Sequence, residues 1–203
     1  AACDRGTSEA HRTTHKDGRS VVYVGESGNW IGLARFAVLR REGGPLPDDA
    51  EILSAKLCLY KLKGYVPYLV LHRVTSPWKE SEVTWNAGSA GHNWTSPGAD
   101  VAAERCAVND LPTAYENAGN RMSEAAQKVW YGPYGCEFEV TKSLAAMLKE
   151  GKNHGWRLTA FKDSTCTIVP GIKGPRVEFA GRSRDETELR PQLILKVRCR
   201  RLR

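Results

Sequence analysis

The stretch from Ser76 to Asn86, SPWKESEVTWN, constrains the fold of this chain more than any other. It follows an apolar, β-branched run at Tyr68–Thr75 that is typical of a strand, and its proline then ends that strand. Trp78 and Trp85 can together bury on the order of several hundred Å² of ring surface, provided that each indole N–H finds an acceptor. The stretch therefore predicts a buried corner, followed by a short second strand at 83–85.

Most of the remaining chain consists of strand patterns. They lie at Val21–Val24, Leu33–Leu39, Ile52–Leu62, Tyr68–Thr75, Cys136–Val140, Trp156–Phe161, Thr165–Val169, Val177–Phe179 and Leu193–Val197. Two short helices are predicted, at Ser123–Val129 and in KSLAAMLKE, which Thr141 would cap and Gly151 would end. Because no βαβ alternation occurs, we predict an all-β, antiparallel sandwich with one or two short helices. It fills residues 1–203 as a single domain with a basic tail at 198–203.

Four segments carry a family resemblance. They are GLARFAVL with LPDDAEILSAKLCLYK at Gly32–Lys61, HRVTSPWKESEVTWN at His72–Asn86, FEVT at Phe138–Thr141, and GWRL with RPQLILKV ending at Val197. In this order they resemble the DNRLRE or disaggregatase-related domains, a β-sandwich class that includes carbohydrate-binding modules attached to alginate lyases. The resemblance implies a jelly-roll sandwich that is fused to, or acts with, a polysaccharide-degrading enzyme. Glu139 stands where that family usually has Asp.

The charge of the chain favours acidic partners. Thirty Lys and Arg against 23 Asp and Glu give a net charge of +7, so uronic-acid or sulfated polysaccharides, nucleic acid and anionic surfaces are the candidates. Much of the excess lies in the terminal RCRRLR, which is typical of a solvated tail. Because basic motifs interleaved with aromatic residues are missing, we expect no nucleic-acid partner. No apolar run approaches the roughly 18 residues of a membrane helix, so we expect no membrane insertion.

The cysteines predict an exported protein. They are Cys3, Cys58, Cys106, Cys136, Cys166 and Cys199. Their number is even and no CxxC pair occurs, which excludes zinc-ribbon and thioredoxin-like spacings and favours disulfides in a secreted domain. The initial AAC is compatible with cleavage of a signal peptide at a small-residue site. Buried free thiols in a cytosolic protein are the alternative.

Familiar catalytic motifs are absent from the sequence. It has no GxSxG elbow, no HExxH, no P-loop, no GxGxxG after a strand and no DxDxDG calcium loop. A lyase acting on uronates would need a group that neutralises the carboxylate and a base, which Arg157, His72 and Tyr60 could supply if their strands were neighbours. Glu80 and Glu82 are too close in sequence for a glycosidase pair, and we assign them to the corner.

Binding requires only exposed aromatic rings and cations. In Ile52–Leu62 the residues Ala55, Leu57 and Leu59 share one side, which should face the core. The same parity argument, extended to the other strands, gives the outward-facing candidates. With one loop tryptophan added, the predicted ligand-binding residues are Lys56, Tyr60, His72, Arg157, Lys196 and Trp30. Trp94 and Trp130 are alternative sugar-stacking rings in loops, whereas Trp78 and Trp85 are predicted to be structural.

We therefore expect a secreted, non-catalytic carbohydrate-binding module for acidic polysaccharide, a ligand class that the family resemblance and the charge both favour. A small polysaccharide lyase or glycoside hydrolase on the same sandwich is the first alternative. A structural cell-surface domain is the second. No catalytic residue and no organic cofactor is predicted, and the sequence leaves open whether a calcium ion braces the sandwich.

Overall fold

A computed structural model describes residues 2–4, 21–25, 30–64, 68–110, 135–161, 176–183 and 185–199. The strands in these ranges are β1 (Ala2–Asp4), β2 (Val21–Gly25), β3 (Trp30–Ala34), β4 (Glu51–Gly64), β5 (Tyr68–Val74), β6 (Ala87–Ser89), β7 (His92–Asn93), β8 (Val101–Asp110), β9 (Gly135–Glu139), β10 (Trp156–Phe161), β11 (Arg176–Ala180) and β12 (Gln192–Arg198). The same ranges contain one α-helix, α1 (Thr141–Glu150). The all-β prediction is confirmed.

The large sheet is antiparallel and curls around one core. Its strand order is β12-β4-β11-β2-β3-β10-β5-β8, with β1 added to β3 and β9 added to β4, while β6 and β7 form a separate hairpin. Leu57 of β4, Leu71 of β5 and Leu158 of β10 belong to one buried cluster, although several strands separate β4 from β5 and β10 in the sheet. The sheet must therefore fold over, and β8 comes to lie next to β9. The result is sandwich-like, with two outward faces that point in different directions.

The helix covers one end of this core. Leu144, Met147 and Leu148 are buried, whereas Ala145, which the apolar stripe was predicted to include, is exposed. Thr141 is the first helical residue rather than the cap, which is Val140. The Thr141 hydroxyl oxygen accepts a hydrogen bond from the Ala55 N–H at 2.7 Å. This bond ties the start of α1 to β4.

The helix ends where the sequence predicted. Gly151 adopts the left-handed conformation, with φ of 65°, and its N–H is bonded to the carbonyls at the end of the helix. A residue without a Cβ fits this conformation at little cost.

Other boundaries differ from the prediction. The strand expected at Leu33–Leu39 is instead β3, which ends at Ala34. Beyond it, Val38 and Leu39 are buried in a tight turn, in which the Leu46 N–H donates to the Val38 carbonyl at 3.0 Å. The residues at 83–85 form no strand, and β8 was not predicted. The expected helix at 123–129 and strand at 165–169 lie outside the described residues.

The expectation of a full disulfide framework is wrong for three of the six cysteines. Cys58, Cys136 and Cys199 are free. Cys136 lies opposite Leu59 and faces the core, whereas Cys58 lies opposite Glu137 and faces outward. Because neighbouring thiols on opposite sides of a sheet cannot reach one another, these two cannot form a disulfide without backbone movement. The side chains of Cys3, Cys106 and Cys166 lie outside the described part.

We predict that thiol titration of the denatured, unreduced protein finds at least three thiols. Burial raises the pKa of Cys58 to about 11 and that of Cys136 to about 12, so neither should react in the native state at neutral pH. Cys199 is exposed. The variant Cys199→Ser should therefore lose one fast-reacting thiol, while Cys58→Ser should lose one that reacts only after unfolding. A titration that finds no free thiol would show that the cysteines are bridged after all.

Candidate functional site

The six predicted ligand-binding residues lie in three places, and the first is the outward face of β4 and β12. Lys56 lies opposite Ile194, and Lys196 lies opposite Ser54, so the two lysines are diagonal neighbours on one side of the sheet. Both lysines are exposed, and Tyr60 is half-buried further along β4. Ile194 is 44% exposed between them. This face is open, but it contains only half of the predicted set.

Acidic side chains balance the charge on this face. The Lys56 ammonium lies 3.0 Å from the Glu137 carboxylate of β9, and this hydrogen bond and charge raise the pKa of Lys56 above its usual value. Glu139 is the direct partner of Lys56 in the register of β4 and β9. An incoming polyuronate would therefore meet carboxylates as well as ammonium groups here.

Trp30 lies in a second place. It is on the same side of β3 as Gly32, and a Cβ on Gly32 would contact Val22, Val24 and Leu158 of the main core. The Trp30 side chain therefore leaves β3 on its inward side, and Trp30 is half-buried. The structure does not bring it together with the outward-facing candidates.

The other described tryptophans around the corner belong to a compact segment, residues 76–100, which we call the tryptophan loop. Trp78, Trp85 and Trp94 are 6, 8 and 6% exposed and form a core of their own with Val83 and Ala99. The prediction that Trp78 and Trp85 are structural is confirmed. The alternative of Trp94 as an exposed sugar-stacking ring is wrong because this ring is buried, and Trp130 lies outside the described residues.

Hydrogen bonds satisfy two of the three indoles in this core. The Trp78 Nε1–H donates to the His154 carbonyl at 2.7 Å, and the Trp94 Nε1–H donates to the Thr84 carbonyl at 3.1 Å. Arg35 also lies over the Trp78 ring, with its guanidinium carbon 5.7 Å from the ring centroid. Trp78 and Trp94 therefore combine apolar packing with a paired N–H group, as burial requires.

The ends of the tryptophan loop are tied together. The Thr75 N–H donates to the Asp100 carbonyl at 2.9 Å. The Asp100 carboxylate accepts from the Ser76 hydroxyl at 2.8 Å and from the Ser96 N–H at 2.9 Å. Burial alone would favour the protonated acid, but these hydrogen bonds hold the pKa of Asp100 below its usual value. The Asp100 carboxylate thus holds the two ends of the loop together.

The glutamates of the corner serve the loop, as predicted. Glu82 accepts from the Ala90 N–H at 2.9 Å and from the Lys79 ammonium at 3.1 Å. Glu80 pairs with Arg182 at 2.8 Å. Both carboxylates are therefore engaged in ion pairs.

The loop packs on the outward side of β3, next to the third place. Ile31 and Leu33 of β3 belong to the same buried cluster as its tryptophans. Leu33 is the direct partner of Arg157 on β10. At the end of the loop, the carbonyl of Gly98 accepts a hydrogen bond from Nη1 of Arg157 at 3.1 Å. The loop therefore fixes the position of Nη1 in the Arg157 guanidinium.

Arg157 and His72 are brought together at this third place. They are direct partners on β10 and β5, and His72 is in turn the partner of Arg105 on β8. We call Arg105, His72 and Arg157 the arginine–histidine row. Arg105 is exposed and the other two are half-buried. The side chains of this row lie on the outward side of β5, β8 and β10. They face away from the surface that carries Lys56 and Lys196.

The row has a surplus of positive charge. Burial, followed by the charges of Arg157 and Arg105, lowers the pKa of His72 to about 4, and burial also lowers the pKa of Arg157. Within the described part of the chain, neither arginine forms an ion pair. Two uncompensated guanidinium groups, one exposed and one half-buried, attract anions.

Sequence reasoning missed Arg105, because β8 had no recognisable strand pattern. It also missed Thr159, which shares the outward side of β10 with Arg157 and is 1% exposed. The alternation along Trp156–Phe161 was a usable signal for Thr159, since residues two apart on a strand share a side.

Comparison with known proteins gives no match, either to a protein-family model or to a curated protein sequence. The resemblance to DNRLRE domains thus stays a prediction. No helix among the described residues is long and apolar enough to cross a membrane. The same residues include no group of three or more His, Cys, Asp or Glu side chains that could hold a metal ion, so the described part offers no such site for a bracing calcium.

Proposed function

We propose that this domain binds acidic polysaccharide, without cleaving it, on the outward face of β5, β8 and β10. The observation that carries the proposal is the arginine–histidine row, in which two guanidinium groups flank an imidazole and no described carboxylate neutralises them. Guanidinium groups bind carboxylates through two parallel hydrogen bonds, which suits uronate residues. The family resemblance of the sequence points to the same class of ligand.

We expect a polymeric ligand, because a single contact between a guanidinium and a carboxylate on a surface is weak. An exposed ion pair contributes only about 0.2 to 1 kcal/mol. Useful affinity therefore needs several uronates acting along one chain, so that each bound residue raises the effective concentration of the next. The net charge of +7 adds a long-range attraction that salt would screen. We place the domain outside the cell, where such polymers occur, next to or fused with an enzyme that degrades them.

A polyuronate lyase, with Arg157 to neutralise the carboxylate and His72 as the base, is the second candidate, because these two residues are direct strand partners. Two observations favour binding over cleavage. A histidine with a pKa of about 4 is a weak base for removing a carbon-bound proton. Tyr60, the other predicted base, lies on β4, which belongs to the opposite wall of the curled sheet.

We predict that polyuronate retention depends more on the row than on total charge. Arg105→Gln and Lys196→Gln each remove one exposed cation, but only the first belongs to the row. In affinity electrophoresis with alginate at low salt, Arg105→Gln should weaken binding roughly two- to fivefold, while Lys196→Gln should behave as the wild type. Retention should fall steeply with added salt.

Equal effects of the two variants would show that binding is spread over the surface charge. Tight, salt-independent binding to a neutral glucan would contradict the proposal outright. Release of unsaturated uronates or of new reducing ends from the polymer would move the protein to the lyase or hydrolase class.

A further inference from the structure

We infer that the inner end of the arginine–histidine row is a subsite for one carboxylate, which accepts hydrogen bonds from Arg157 Nε, His72 Nδ1 and Thr159 Oγ1. The inference rests on the proposed function for the source of that carboxylate, a uronate residue of the polymer. It adds a specific set of hydrogen-bond donors to a face that is otherwise only positively charged.

Three buried polar atoms carry the inference. Nε of Arg157, Nδ1 of His72 and Oγ1 of Thr159 are buried, and none forms a hydrogen bond with the described part of the chain. Buried polar atoms in native proteins are nearly always paired, and leaving them unpaired is costly. Three such atoms on neighbouring side chains call for a polar partner from outside the described chain.

The register brings these side chains together. Arg157 and His72 are direct partners on antiparallel strands, a relation that places Cβ atoms about 4.5 to 5.5 Å apart. Thr159 is the next residue on the same side of β10, diagonal to His72, at a typical distance of roughly 7 to 8 Å. The Arg157 side chain is long enough to reach toward both His72 and Thr159. The guanidinium, the imidazole and the hydroxyl can therefore surround a single anion.

The surroundings fix the site and strengthen it. The bond from Arg157 Nη1 to the Gly98 carbonyl, at 3.1 Å, holds the guanidinium against the end of the tryptophan loop. On either side the partners are apolar: Leu33 lies opposite Arg157, and Val70, 0% exposed, lies opposite Thr159. Charged hydrogen bonds are stronger in such a low-dielectric site.

The chemistry of the donors selects a carboxylate. A guanidinium N–H, an imidazole N–H and a hydroxyl can all donate, and no described acidic group is paired with them. Two planar oxygens with one negative charge match this set. A neutral sugar hydroxyl brings no charge, and a tetrahedral sulfate presents its oxygens in a different geometry.

The test uses thermal unfolding with D-glucuronate, D-glucose and sulfate at constant pH and ionic strength. Glucuronate at about 100 times its Kd should raise the Tm by roughly 5 to 10 °C, and glucose should not. An equal shift with sulfate, or equal shifts with glucuronate and glucose, would overturn the subsite.

Thr159→Val is the decisive variant because it keeps the shape of the side chain and removes only the hydroxyl. Without ligand its Tm should equal or exceed that of the wild type, since an unpaired buried hydroxyl is lost. Its affinity for glucuronate should fall roughly fivefold or more. Thr75→Val, which alters an exposed threonine, is the matched control and should change neither quantity.

Arg157→Lys separates the subsite from a purely structural brace of the tryptophan loop. The variant keeps the charge and loses the Nε donor, so the glucuronate-induced shift should disappear. A brace alone predicts a lower Tm with an unchanged shift, which would overturn the inference.

The polymer assay keeps the two proposals apart. If alginate is retained and Thr159→Val binds glucuronate as the wild type does, the subsite is wrong and the proposed function stands. If glucuronate stabilises the wild type but not Arg157→Lys, and no polysaccharide is retained, the subsite stands and the proposed function fails.

Discussion

Replacing Trp85 by alanine is expected to lower the free energy of unfolding by about 3 to 5 kcal/mol. The ring is 8% exposed and packs with Val83, Trp78 and Trp94 in the core of the tryptophan loop. Gly98 approaches it so closely that a Cβ there would lie 3.1 Å from the ring. Because the surrounding chain is fixed by its own hydrogen bonds, it cannot collapse fully into the space that the ring leaves. Urea unfolding followed by circular dichroism measures the loss.

Trp30→Ala is the comparison, because Trp30 is only half-buried and lies outside the tryptophan loop. Its loss of stability should be clearly smaller than that of Trp85→Ala. A Trp85→Ala protein that unfolded like the wild type but no longer bound polysaccharide would show that Trp85 acts in binding, contrary to its burial.

Gly155→Ala is expected to lower the free energy of unfolding by about 3 kcal/mol or more. Gly155 has φ of 77°, a conformation that an L side chain adopts only with strain. A Cβ at this position would also overlap the backbone carbonyl of Ala34 at the end of β3. Because the Gly155 carbonyl accepts from the Val74 N–H at 2.9 Å, the segment cannot move aside without disturbing β5.

Gly151→Ala is a matched control for that variant. Gly151 has a similar φ of 65°, but a Cβ there would meet nothing within 4 Å. Only the conformational cost remains, about 1 to 2 kcal/mol. The difference between the two variants in thermal unfolding therefore measures the contact with β3. Equal losses would mean that β3 and the Gly155 segment can separate freely.

Local patterns predicted much of the fold. Ala55, Leu57 and Leu59 alternate with polar or less apolar residues along β4, and all three are buried. The bounds of β10 agree with the prediction because the strand lies between a glycine and a polar turn sequence. By contrast, β8 has no alternation of its own and owes its conformation to pairing with β5, which propensity cannot show.

The candidate site was less predictable because it depends on pairing between distant segments. Only the register of β5 with β10 makes Arg157 and His72 neighbours. Likewise, nothing near Lys56 in the sequence shows that Glu137 of β9 neutralises it. Strand parity predicted which side of β4 faces the main core. It could not show that the tryptophan loop covers Ile31 and Leu33 of β3, which face away from that core.

The tryptophan loop has its own core, separate from the core inside the curled sheet. Segments of this kind can open as cooperative units while the rest of the protein stays folded. Because the end of the loop holds Arg157 through the Gly98 carbonyl, each opening event would free the guanidinium and admit water to the outward side of β10. A ligand that needs the closed loop would then shift the equilibrium toward the closed form. Ligand binding on β10 would in this way be coupled to ordering of the tryptophan loop.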